Sequence, residues 1–241
     1  MIKIEKVDVY GFEPALRGMR NAKRSWDKSD SAWCDRLESP NCDKCKHYTV
    51  YDDDGNSLCE ADEYDRFYSI GKKDHELAMK LVKAGSEHAK FRRMIAVWVD
   101  ITAPRYFWTQ FDTYKVGTVS NSESTMHTIH QKPFELDDFS HEKLIEDLTH
   151  NPTPLNTLKS VIDMLNVCRR CYLQTNNQLD WYQLIQLLPQ SYNQKRTVHL
   201  NYEVLANMYR QRKNHKLDEW KEFCKWIKTL PYSEFITGEE K

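Results

Sequence analysis

Glycine and proline are scarce in this 241-residue chain, at seven and eight residues, which argues against a low-complexity or disordered protein. Excess charge is also missing. Lys and Arg total 35 against 36 Asp and Glu, so no bulk field draws the chain to nucleic acid or to anionic lipid. No apolar run reaches the ~18 residues that would suggest a membrane span. The opening MIKIEKVDVY alternates like a strand and lacks the apolar core of a signal peptide, so the expected compartment is the cytoplasm. Seven cysteines, an odd number, fit reduced thiols or a metal site better than a disulfide framework. What the chain does have is aromatic mass, with seven Trp and thirteen Tyr, enough for a large core or interface.

The periodicities predict an α+β fold, with a mixed or antiparallel sheet packed with helices and a helix-rich C-terminal half. Strands are expected at 2–10, within 91–102 around MIAVWVDIT, and at 195–200. Helices are expected at 13–20, 74–83, from Pro104 onward, and at 141–148, 155–173, 181–188, 202–212 and 216–228. No repeat is visible, and residues 1–241 read as a single domain. Residues 22–60 form a possible Cys-rich insertion within it. There Cys34, Cys42, Cys45 and Cys59 make one C-x-x-C with irregular flanks, a set that suits Zn²⁺. Cys168-x-x-Cys171 reads as helix core rather than as a redox pair.

The densest polar chemistry lies in APRYFWTQFDTYKVGTVSNSESTMH, residues 103–127. Pro104 suits a helix's first turn, where no backbone donor is needed. Gln110 and Tyr114 fall inside the apolar arc of that helix and need partners. Beyond Gly117 a run of hydroxyls and amides follows, able to meet a polar ligand or merely to cap its own backbone. A second candidate lies on the predicted helix 202–212. Leu205, Met208 and Arg212 share an arc, and a cation on a buried stripe is costly unless paired. Asn201 suits a helix N-cap. Lys195 with Arg196, and Arg210, Arg212, Lys213 and Lys216, are basic clusters that could flank a phosphate or simply be solvated.

These stretches resemble the flavin-dependent thymidylate synthases. That family carries A-P-x-x-x-x-x-Q followed by R-H-R-x-x-S-x-N-x-x-S-x-R-Y. Ala103, Pro104 and Gln110 match. Thr113, Tyr114 and Lys115 stand where the family has Arg, His and Arg. After one extra residue Asn121 and Ser124 match, while Met126 and His127 replace the closing Arg and Tyr. Further on, Leu188-Pro189 precedes Asn201, Asn207 and Arg212 at the spacing of N-x-R-x-x-x-N-x-x-x-x-R, with Glu203 at the middle Arg.

The resemblance implies a homotetramer that methylates dUMP to dTMP with FAD, methylenetetrahydrofolate and NADPH. It assigns Gln110, Lys115, Ser124 and Arg212 to the nucleotide, with Arg212 and Ser124 as the catalytic pair. Thr113, Tyr114, Asn121, Asn201 and Asn207 go to the flavin. Two alternatives stay open: a related enzyme for another pyrimidine nucleotide, and a non-catalytic nucleotide-binding or assembly protein on the same fold.

Overall fold

A computed structural model of the chain describes residues 2–34, 49–51, 57–59, 67–147 and 151–239. In order, these form β1 (Lys3–Tyr10), α1 (Phe12–Arg20), β2 (Ala32–Cys34), β3 (Thr49–Tyr51), β4 (Ser57–Cys59) and β5 (Phe67–Ser69). Then come α2 (Lys72–Ala84), β6 (Ala96–Pro104), α3 (Arg105–Phe111), β7 (Val119–Ser122) and α4 (Thr125–Thr128). The rest is α5 (Pro154–Thr175), α6 (Gln178–Leu187), β8 (Asn193–Asn201), α7 (Tyr202–Arg212), α8 (Asp218–Ile227) and α9 (Glu234–Thr237). The strands make one four-stranded sheet in the order β1-β6-β8-β7 and two antiparallel ribbons, β2-β5 and β3-β4. The α+β class expected from the sequence is the one observed.

The chain divides into two compact units. One comprises Met1–Asp8, Trp98–His199 and Asn214–Phe223; the other comprises Val9–Val97, Leu200–Lys213 and Cys224–Lys241.

In the first unit the sheet is two-faced because side chains alternate along a strand. Val99, Ile101 and Ala103 of β6 are fully buried, whereas Trp98 between Val97 and Val99 is exposed and stacks on His199 of β8 at 4.6 Å. β6 runs straight into α3, whose first free N–H groups bond to the carbonyls of Tyr192 and Gln190 at 3.0 and 3.2 Å. An aromatic cluster fixes α3: Phe107, Phe111 and Tyr114 meet Trp220 and Phe223 of α8, and Trp108 packs against Phe107 and Phe111. Each ring of this kind stabilises the fold by roughly 1.5–3 kcal/mol through burial. A second core forms where the α5–α6 hairpin covers Phe134, Phe139 and Tyr192 with Leu158, Ile162, Leu165 and Leu184. The Thr153 side chain caps α5, Pro154 opens it, and Asn176 at φ +50° ends it.

One expected helix is absent. Residues 141–147 form a turn followed by irregular chain, and Leu144 and Ile145 are exposed. The segment has a helical pattern, but an apolar stripe without a surface to cover it does not hold a short helix.

The second unit gathers α1, α2, α7 and α9 about Phe12, Phe91, Tyr202 and Phe235. Its α2 is held to residues 29–31 by a buried carboxylate, Asp74. That group takes bonds from Arg20 Nε at 2.5 Å and from the hydroxyls of Ser29 and Ser31 at 2.6 Å each.

Candidate functional site

The predicted residues fall into both units. Gln110, Thr113, Tyr114, Lys115, Asn121 and Ser124 lie in the first; Asn201, Asn207 and Arg212 lie in the second.

In the first unit the polar stretch splits according to what its head groups already touch. α3 stops at Phe111, earlier than its pattern suggests. Gln110 accepts a hydrogen bond from the buried Trp220 Nε1 at 2.8 Å. Thr113 donates its hydroxyl to the Gln110 carbonyl at 2.7 Å, closing the helix end. Tyr114 is buried edge-on against Trp220. The turn then reverses at Gly117, whose φ of +77° favours glycine, and the chain enters β7. This strand pairs antiparallel with β8, setting Asn121 opposite Thr197. Lys115 and Asn121 are exposed and Ser124 half-buried, and none has a side-chain partner among the described residues. Between them Thr118 buries its hydroxyl oxygen with no hydrogen-bond partner. A buried orphan hydroxyl asks for an explanation, and the sequence pattern gave no reason to single it out. The stretch therefore has an internal half, 110–114, and an outward polar half, 115–124.

The neighbouring basic pair is structural. Lys195 contacts Asp100 at 3.0 Å, and Arg196 lies over the Trp108 ring at 4.3 Å while bonding Asp112 at 2.7 Å.

In the second unit Asn201 is the N-cap of α7, its side chain accepting from Val204 N at 3.0 Å. Asn207 accepts from Arg210 and Gln211, both at 3.0 Å. Leu205 and Met208 are fully buried and Arg212 half-buried, as the arc predicts. Glu203, at the position of the family's middle arginine, has a role of its own. It lies 2.7 Å from Arg92, a guanidinium only 8% exposed. Burial lowers the Arg92 pKa and Glu203 opposes that effect. The contact is an ion pair by distance, yet Arg92 Nε and Glu203 Oε2 both lack a hydrogen-bond partner.

The first unit also contains a cleft of about 710 Å³ that sequence reasoning did not anticipate. Tyr106, Ser140, Ser191 and Glu219 line it, and the Tyr106 hydroxyl donates to Glu219 Oε1. Burial, reinforced by Glu219, pushes the Tyr106 phenol far above its ordinary pKa, so it keeps its proton. The signal lay in the irregular spacing of Tyr106, Glu142 and Glu219, which only the fold brings together.

No protein-family model matches the chain, and no curated protein does. Solved structures do match. Thymidylate synthase X from Helicobacter pylori, crystallised with FAD and dUMP, superposes with a TM-score of 0.60 at 13% identity, over 99% of this chain and 98% of that one. A second structure of that flavin-dependent enzyme gives 0.59 at 16%, over 98% of each chain. The UMP/dUMP methylase PolB from Streptomyces cacaoi, bound with 5-Br UMP, gives 0.57 at 13%, over 98% of this chain and 94% of that one. The chain has the fold of a flavin-dependent thymidylate synthase.

Four of the five residues that the resemblance assigns to the flavin have partners within their own unit. Thr113 and Asn201 cap helices, Tyr114 is core, and Asn207 serves its own helix. Asn121 alone of the five has a side chain without a described partner. The four cysteines assigned to zinc sit apart from this question. Cys42 and Cys45, and the thiols of Cys34 and Cys59, lie outside the described residues. Among the described residues no group of three or more His, Cys, Asp or Glu side chains gathers to hold a metal.

Proposed function

We propose that the protein is a pyrimidine-nucleotide methylase of the flavin-dependent thymidylate synthase type, acting on dUMP. The observation that supports this most is near-complete coverage, on both sides, by two differently named enzymes whose structures hold dUMP or a UMP analogue. The outward half of the polar stretch supplies groups such a ligand needs. Lys115 offers a point charge to a phosphate, and Asn121 and Ser124 offer neutral hydrogen bonds. Arg212 keeps the role the resemblance gives it, as a cation for the nucleotide. Ser124 and Arg212 are the residues assigned to the reaction itself. The folate donor, NADPH and a homotetrameric assembly belong to the same reading.

A second reading is favoured by the way the flavin-assigned residues are occupied. On it the chain binds a pyrimidine nucleotide without flavin, as a sensor or assembly protein, or modifies a nucleotide other than dUMP. One experiment separates these. The purified protein is examined for flavin absorbance and titrated with FAD, dUMP and UMP. Flavin colour together with dUMP binding supports the methylase. Nucleotide binding without flavin moves the assignment to the second reading, and a preference for UMP changes the substrate. Failure to bind any of the three rejects both.

A further inference from the structure

The four-stranded sheet has two edges, and they are built differently. At one, β1 carries Lys3, Glu5, Lys6 and Asp8 along its length, a protection against pairing with another chain. At the other, β7 carries nothing of that kind. From Val116 to Ser122 the chain reads VGTVSNS, without a charge or a proline. All of β7 is exposed, and Val116 and Val119 stand 91% and 66% exposed.

The outer edge of β7 can be assigned residue by residue. Glu123 N donates to the Lys195 carbonyl at 2.9 Å, continuing the register that sets Ser122 opposite Arg196. In an antiparallel ladder the backbone groups face the partner strand at every second residue. Val119 and Asn121 therefore point their N–H and C=O groups to β8, and Ser120 and Ser122 point theirs away from it. No strand lies beyond β7 among the described residues. Such a free row of N–H and C=O groups is a template for one more strand.

Charge selects the strand. Lys115 precedes the neutral run and Glu123 follows it; both are exposed, and neither forms an ion pair among the described residues. When two identical strands pair antiparallel, the lysine end of each meets the glutamate end of the other. A parallel pair would set like charges together. The neutral run between these ends lets identical residues face one another without repulsion.

We infer that the outer edge of β7 pairs antiparallel with β7 of a second copy of this chain, joining two four-stranded sheets into one. The backbone groups of Ser120 and Ser122 in each copy bond to those of the other about a two-fold axis. Val119 loses part of its contact with water in the same step. The homotetramer implied by the resemblance leaves the joining surfaces open. This pairing names one of them, and it does not need the nucleotide reading.

Sedimentation equilibrium of the full chain over a range of concentrations, without nucleotide, tests this. The parent associates. Ser120→Pro halves the mass of the assembled species or raises its dissociation constant at least about tenfold, because a missing N–H is missing twice across the two-fold. The variant keeps its fold, since that N–H faces away from β8 and an edge strand accepts proline there; an unchanged melting temperature checks it. Lys115→Glu and Glu123→Lys each weaken association, and the two together restore it, a rescue that a misfolded variant would not give. The inference is overturned if the parent is monomeric throughout, whether or not an unrelated uncharged extended peptide binds it. It is equally overturned if Ser120→Pro assembles like the parent, or if the double exchange stays as weak as the single ones. Because association is read without nucleotide, its failure is distinguishable from failure of the nucleotide reading.

Discussion

Two buried charges in the second unit show how single residues set the limits of this protein. Burial alone would raise the Asp74 carboxyl. The hydroxyls of Ser29 and Ser31 and the Arg20 guanidinium outweigh that and hold it below the usual carboxylate value. A carboxyl depressed in the folded state contributes stability above its unfolded pKa and loses it as pH falls through the folded one. Urea denaturation of the parent should therefore lose stability as pH drops below about 4. Asp74→Asn should be less stable at neutral pH and flatter across that window. An unchanged slope in the variant would remove Asp74 from the account. Arg92 raises the complementary case. Glu203→Gln leaves a guanidinium buried without its counter-charge. Breaking a fully buried pair costs about 3–5 kcal/mol; Glu203 is 22% exposed, so about 1–3 kcal/mol is expected, read as a lower urea midpoint. At this scale the candidate site was half legible. Lys115, Asn121 and Ser124 are outward polar groups, as their sequence suggests. Gln110 is turned inward, as its place in the apolar arc predicts, but its partner, Trp220, lies 110 positions away, and no local pattern encodes that pairing.

Elements were legible where their own periodicity agreed with what covers them. α2, α5 and α7 lie close to their predicted positions because each has an apolar stripe and a recognisable start or stop. For α7 the start is Asn201. Its reading as a cap makes a measurable claim. Asn201→Ala should cost about 1 kcal/mol in thermal or urea unfolding, and Asn201→Asp or Asn201→Ser should recover most of it. If Asn201→Ser instead abolishes ligand binding while restoring stability, the residue contacts a ligand as well as its helix. Residues 141–147 and β7 were illegible for opposite reasons. The first has a helical stripe but Leu144 and Ile145 remain exposed, so periodicity overstated the case. The second, VSNS, is entirely exposed and has no alternation to read. It is a strand because β8 offers it an edge, in the register Val119↔His199 to Ser122↔Arg196. Asn121, one of the residues carrying the family resemblance, thus sits on an element set by tertiary pairing.

Across the whole chain, a fold shared at 13–16% identity means that one architecture is compatible with very different individual groups. Sites do not tolerate that freedom, because their energy resides in a few placed charges and hydrogen bonds. That asymmetry explains why the architecture could be read from strand and helix patterns, whereas the ligand has to be found by measurement. Linkage supplies the measurement without assuming any chemical step. A ligand that binds the folded chain stabilises it by about 2.7 kcal/mol at a hundred times its dissociation constant. For a chain of this size each kcal/mol moves the melting temperature by about 2–4 °C. Saturating dUMP should therefore raise the midpoint by roughly 5 °C or more. Lys115→Ala and Ser124→Ala should each lose part of that gain while leaving the unliganded midpoint nearly unchanged, since neither side chain has a described partner to lose. If FAD adds a further rise only when dUMP is present, the two ligands are coupled on one fold. A chain whose melting point responds to no pyrimidine nucleotide would share the architecture of these enzymes without their ligand.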